Sequence, residues 1–248
     1  MRRIFLFPFF LAVAFTSFSQ NLNDTIISIP FVSLSYSPQI PGGDFAKRFG
    51  FTNNIGLNVG IKTANNWLFE LEGNFLFSKN VKEDSILNYI RTSEGYIISA
   101  SGDAVNVLIY QRGFTETILV GKVIPFKTSN KNSGLALKFG VGFMHHKIKI
   151  ENQDNNVPAL TKENLVYVDR LTMGLSLKQF IGYQQFSNNK RINFNIGLEL
   201  TEGFTQGMRD WQMNYGVYRD KRFDFLIGIR AGWFLPIYRK APEEYYLD

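Results

Sequence analysis

From about Pro30 to Tyr238, stretches in which apolar and polar residues alternate recur about eight times, the period-two signature of strands with two unlike faces. The clearest runs from Asn54 to Lys62, where Ile55, Leu57, Val59 and Ile61 alternate with Gly56, Asn58, Gly60 and Lys62. Trp67 to Ser78 sets Trp67, Phe69, Leu71, Phe75 and Phe77 against Glu70, Glu72 and Asn74. Further segments are read over Ile29–Tyr36, Phe114–Ile124, Gly134–Ile150, Leu171–Tyr183, Ile192–Thr201 and Phe223–Ile237. Ile29 and Phe31 break the alternation of the first, and the fourth, Phe114–Ile124, alternates least cleanly. The fifth slips near His145-His146, which predicts a bulge or the exit from lipid.

The gaps between segments alternate long and short. After the first, third, fifth and seventh segments they are long (about Pro38–Gly50, Lys79–Gly113, Glu151–Val168 and Thr205–Asp220). After the second, fourth and sixth they are short and rich in Asn, Ser and Lys. An even, closed, antiparallel sheet with both ends on one side of a membrane generates this alternation. The expected fold is therefore all-β: an antiparallel up-and-down transmembrane β-barrel of eight strands, with long outer loops and short periplasmic turns. Ten strands is the alternative, if Lys79–Gly113 hides a hairpin. Within that gap, Asp84–Ile90 reads as one or two helical turns capped by Asp84, and its apolar content suits a lid over the mouth or a contact with a partner.

In lipid every backbone polar group must bond within the protein, and a closed barrel satisfies them all. The apolar face then looks at acyl chains and the charged face into the lumen. The inward charges expected are Lys62, Glu70, Glu72, Glu116, Lys122, Lys138, Lys178, Glu199, Asp224 and Arg230, five of each sign. An eight-stranded barrel is just wide enough to be filled by side chains. Balanced signs in so narrow a space predict a salt-bridged plug rather than a pore, with inward glycines making room for Lys and Arg stems. Two aromatic girdles are expected. Trp67, Phe69, Tyr183 and Phe194 belong to the periplasmic one; Phe75, Phe77, Phe143, Phe204 and Phe223 belong to the outer one.

The first residues fix the compartment. Arg2 and Arg3 precede an apolar run from Ile4 to Phe15, and Ser17-Phe18-Ser19 gives the small residues of a cleavage site, the pattern of a secretory signal. That run is too short for a membrane helix, which needs about 20 residues. The expected division is a signal over 1–19 and one barrel domain over 20–248, ending in a periplasmic tail, 239–248. Gln20 would begin the mature chain, and no Cys follows to carry a lipid anchor. Aromatic residues make up 15% and charged residues 19%, a balance that suits lipid better than a soluble core. The absence of Cys removes disulfides and thiolate metal sites. The formal charge of +6 falls to about +4 without Arg2 and Arg3. The cations are scattered, whereas a nucleic-acid binder needs them clustered on one face.

The chain offers little chemistry. His145 and His146 are the only histidines, and neighbours on a strand point to opposite faces, so no metal site is expected, and no cofactor. His146 would need the fold to bring it Ser176 or Glu199 for serine-type catalysis. Glu70 and Glu72 share a face at nearly ~7 Å along the strand; inside a barrel such carboxylates meet Lys. Glu151–Asn156 lacks the ligand spacing of a calcium loop.

The signal ending in Ser19-Gln20, the segment Pro41–Gly50, the motif Asn66–Phe69, the stretch Gly140–Ile148 and the ending from Lys221 to Tyr238 resemble a family of Bacteroidota outer-membrane β-barrels. The resemblance spans nearly the whole mature chain. It implies place and fold, and it offers no catalytic residues to carry over. One departure is that the chain runs past its last strand through Arg239 to Asp248. The expected function is non-enzymatic: a structural or accessory integral outer-membrane protein, in contact with outer-membrane lipids and serving as a subunit of an envelope machine for secretion or assembly. The alternatives are a lipid-modifying enzyme and a narrow channel.

Overall fold

The computed structural model describes residues 26–126, 130–152, 156–187 and 192–237, the side chain of Asp84 apart. The export signal over 1–19, the mature start at Gln20, the tail 239–248 and the Asp84 cap lie outside the described residues.

Eight strands close a barrel: β1 (Ile29–Gly42), β2 (Thr52–Lys62), β3 (Trp67–Ser78), β4 (Val107–Pro125), β5 (Gly134–Asn152), β6 (Thr172–Gln185), β7 (Phe194–Gly207) and β8 (Lys221–Pro236). Each pairs antiparallel with its neighbours in sequence, and β8 returns to β1. The barrel wall therefore closes on itself without an edge strand. The ten-strand alternative falls away. Ile97–Ile98 and Ala104–Val105 form a two-residue ladder outside the barrel, too short to span. Asp84–Ile90 is a 3-10 helix.

Several strand limits differ from the sequence reading, β7 among them, which runs to Gly207. β1 runs on to Gly42, and the helix α1 (Gly43–Arg48) replaces the expected loop. β4 begins at Val107, so it and β5 rise as a ribbon above their neighbours. No bulge occurs at His145-His146: the ladders of β5 with β4 and β6 run in register through both. The hydrophobic pattern changes there because the inward face of β5 meets an apolar cap, so Met144 and Ile148 point inward and are buried.

The two faces sort by polarity. Outward, Leu34, Leu71, Ile118 and Leu175 are each 57% exposed or more, and they belong to one continuous apolar belt. Soluble monomers rarely expose apolar patches beyond a few hundred Å², so this belt is built for lipid and the barrel is of the transmembrane type. Inward, Phe31, Leu68, Val123, Phe186 and Phe234 pack with Ile29 at the turn end. This apolar floor explains why Ile29 and Phe31 broke the alternation. Phe31 meets Phe234 edge-on at 4.9 Å and Phe186 at 5.9 Å.

The Asn- and Ser-rich turns are stitched together beneath that floor. Asn66 takes the left-handed conformation (φ 62°) that closes the β2–β3 turn, which Asn tolerates. Its amide donates to the Lys131 carbonyl at 3.1 Å. Ser133 Oγ donates to the Phe186 carbonyl at 3.0 Å and accepts from the Phe186 N–H at 2.8 Å. Cutting Phe234 to Ala should cost about 3–5 kcal/mol, the range for deleting a buried aromatic ring. Urea unfolding in detergent micelles should therefore shift to lower denaturant, with the folded barrel's gel mobility retained in buffer.

Candidate functional site

The lumen above the floor holds a closed ionic lattice. Glu72 is its hub. One carboxylate oxygen accepts from Lys178 Nζ at 2.5 Å and Asn74 Nδ2 at 2.7 Å. The other accepts from Arg230 Nη1 at 2.6 Å and Asn58 Nδ2 at 2.7 Å. Glu199 accepts from Arg230 Nη1 at 2.8 Å and Gln39 Nε2 at 2.8 Å. Lys138 donates to Glu70 at 2.5 Å and lies 5.3 Å from the Phe180 ring. Three carboxylates thus face three cations, all six buried. Such a lattice offsets desolvation only when geometry is good and remaining lone pairs are satisfied; the asparagines and Gln39 supply those bonds to the carboxylates, and Arg230 Nε alone of the Arg230 nitrogens lacks a partner. Small inward residues make the room: a Cβ on Gly121 would lie 2.9 Å from Lys138 Cγ.

The other four expected members lie elsewhere. Lys62 is buried at the turn end, where its ammonium bonds the Ile27 carbonyl at 3.0 Å and Asn132 Oδ1 at 2.9 Å. Asp224 is buried nearer the mouth, accepting from Thr205 Oγ1 at 2.5 Å and bonded to His146 Nε2 at 2.9 Å. Glu116 and Lys122 are a correction: both face outward and are exposed. On β4 the inward set is Thr115, Thr117, Leu119, Gly121 and Val123. Its weak polarity contrast hid the phase: Leu119 is buried inward, and Val123 is inward as part of the floor. Lys122 sits 5.2 Å from the Trp67 ring at the lower aromatic level.

The aromatic residues assigned to girdles all face outward. At the turn end Trp67 and Phe69 are exposed and Tyr183 lies 6.2 Å from Phe194. Nearer the loops Phe75 stacks with Phe77 at 5.7 Å and Phe204 contacts Phe223 at 5.5 Å; Phe143 is exposed on β5. Trp233, Phe114 and Phe126 are also outward and were not singled out. Trp233 pairs with Phe194 across strands, and Phe114 lies 4.9 Å from Phe75.

Above the lattice the loops form a cap. Helix α1 drops Phe45 and Phe49 onto His146, with ring centroids 4.7 and 5.6 Å apart. Ile86, Leu87, Val157, Leu160 and Val168 from the second and third loops pack into the same cluster. Arg48, buried, knots four loops together. It donates to Thr172 Oγ1 at 3.1 Å and the Arg170 carbonyl at 3.3 Å, bonds the Tyr218 hydroxyl, and pairs with Glu83 at 3.5 Å. Arg170 reaches the same Glu83 at 3.4 Å. Asp169 holds Arg209 through two bonds, 2.5 and 2.9 Å, and that hydrogen bonding raises the guanidinium's affinity for its proton. Asp44, bonded by Lys47 and by the Phe223 N–H, is held below the usual carboxylate range. No alternation pattern marks Arg48, because its partners come from three other loops.

His146 does not meet Ser176 or Glu199. Its partner is Asp224, and its ring is covered by Phe45 and Phe49. The Ser176 hydroxyl is buried without a partner. Among the described residues no three His, Cys, Asp or Glu side chains converge as a metal site.

No family model matches the chain, and no curated protein matches it. Among solved structures the barrel is similar to Ail, the attachment invasion locus protein of Yersinia pestis. The TM-score is 0.46 with 11% identity, covering 84% of this chain and 99% of that one. The same protein in complex with the heparin analogue sucrose octasulfate gives 0.44 and 12% over 84% and 99%. Neisserial surface protein A gives 0.43 and 9%, covering 83% and 96%.

Replacing Arg230 by Met should leave Glu72 and Glu199 each short of a cation inside the barrel, a loss of about 3–5 kcal/mol for a broken buried pair. Urea unfolding of the variant in micelles should show it. Adding Glu72→Gln to Arg230→Met should recover part of that loss, because one orphaned charge is removed.

Proposed function

We propose that this chain is an integral outer-membrane barrel that works without catalysis, as a closed anchor presenting a folded loop cap to a protein of the cell envelope. The observation that carries the reading is closure at every level of the lumen. An apolar floor, a neutral ionic lattice and an apolar cap follow one another along the axis. A conducting path needs a continuous polar route, and the Phe31–Phe186–Phe234 floor interrupts one. The His146–Asp224 pair lies under two phenyl rings, out of reach of a lipid substrate, which argues against the lipid-modifying alternative.

The cap carries the features of a contact organ. Its fourth-loop hairpin, Arg209–Gln212 with Gly216–Tyr218, holds Trp211, Tyr215 and Val217 exposed, and Tyr167 of the third loop leans on Trp211 at 6.2 Å. Exposed rigid aromatics on an ordered loop suit protein recognition. A subunit role in an envelope secretion or assembly complex, and membership of the Bacteroidota family the sequence resembles, extend this reading.

Expressed in an outer-membrane host, the protein should stay with the membrane pellet after alkaline carbonate washing. Purified and inserted in a planar bilayer, it should give no steps of conductance. Loosening the cap with Arg48→Met should leave the recording silent, since floor and lattice persist. Steady ion current through the unaltered protein would sink the anchor reading in favour of a channel.

A further inference from the structure

The outward rim of β4 and β5 carries an arrangement that the anchor role does not use. Arg112 and Lys147 stand directly opposite each other, and Tyr110 and Lys149 form the next outward pair above them. Like charges directly opposite across a ladder destabilise it. The neighbouring acids offset the cluster only in part. Asp169, 3.8 Å from Lys147, is already held by Arg209 at 2.5 Å. Glu151 pairs with Lys149 alone, at 3.0 Å. Arg112 spends one nitrogen on the Gln111 carbonyl at 2.7 Å and lies 4.8 Å from the Tyr110 ring, which stiffens it with most of its donors free to face outward.

The height of the cluster is informative. The next outward pair below is Phe114 with His145, and Phe114 belongs to the outer aromatic level with Phe75. Aromatic girdles mark the boundary of the hydrocarbon, so the cations begin where lipid headgroups begin. Immediately above, between the ribbon and the third loop, lies a groove of about 580 Å³ lined by Tyr110, Lys149 and Lys162 with Leu108, Leu160 and Leu165, and by Glu151, whose charge Lys149 offsets. It adds a fourth cation and an apolar wall.

Given the membrane placement proposed above, we infer that this rim binds a phosphate-bearing glycolipid of the outer leaflet. A phosphate sits between Arg112 and Lys147, and the sugar body lies in the groove against Tyr110. Arginine forks onto phosphate oxygens with two parallel bonds, and lysine adds a point charge. The bound anion turns the repulsion between Arg112 and Lys147 into an attraction through a shared partner.

The test is native mass spectrometry of the full barrel in detergent, titrated with diphosphoryl lipid A or with the same glycolipid stripped of phosphate. The diphosphoryl form should bind, and Arg112→Gln with Lys147→Gln should weaken it by about tenfold or more, the loss expected from one charge-assisted contact or more. The stripped glycolipid should bind the unaltered barrel no better than the diphosphoryl form binds the double variant. Lys47→Gln, on the exposed helix across the mouth, should change nothing. Equal binding of the two glycolipids, equal loss with Lys47→Gln, or displacement of the lipid by inorganic phosphate at matched concentration would each overturn the inference. Heat-modifiable gel mobility shows that the variants are folded. Retention after carbonate washing shows that a failure here leaves the membrane reading intact.

Discussion

The closed hydrogen-bond ladder governs everything else in this molecule. Once β8 pairs with β1, no backbone donor or acceptor of the barrel wall below the β4–β5 ribbon is left at an edge, and each strand sends successive side chains to opposite sides. The chain then has two surfaces to fill and few ways to fill them. The outer one is apolar over most of its height. The inner one has to fill a narrow cylinder with whatever the remaining positions supply.

The inner surface solves that problem in layers. Near the turns the inward positions are mostly apolar, with Lys62 bonded beside them, and three phenyl rings close the end. At mid-height the inward positions are ionic, and Glu72 gathers four donors from four strands. Near the mouth inward Leu76, Met144, Ile148 and Leu226 join Phe45 and Phe49 around the His146–Asp224 pair. Lys138 couples the first two layers, since its ammonium bonds Glu70 while lying 5.7 Å from the Phe234 ring. The lattice ties together strands that are not neighbours: Glu72 on β3 reaches Arg230 on β8 and Lys178 on β6. It cross-braces the cylinder as well as filling it.

Much of this was legible in the residues because strand periodicity acts locally. The clean alternation of Asn54–Lys62 put the right face inward, and the same logic placed Glu70, Glu72, Lys138, Lys178, Glu199, Asp224 and Arg230 in the lumen. It misplaced Glu116 and Lys122, since β4 mixes small polar and apolar residues on its inward side and so gives little contrast to set the phase. Charge alone does not mark an inward position: Lys122 is tolerated outside beside Trp67 at the interface. The pairing of His146 with Asp224, residues 78 positions apart, depends on which strands meet at the mouth. So does the Arg48 knot. Neither leaves any trace in a local pattern.

The account rests on the apolar belt lying in lipid while the cap stays outside it, and the three tryptophans report on both. Trp67 and Trp233 face outward at the lower aromatic level, and Trp211 is on the cap. Single-tryptophan variants in vesicles of brominated phosphatidylcholine should show strong quenching of Trp67 and Trp233 by lipid bromine and little of Trp211, which aqueous iodide should quench instead. Iodide quenching of all three with no response to brominated chains would contradict the account.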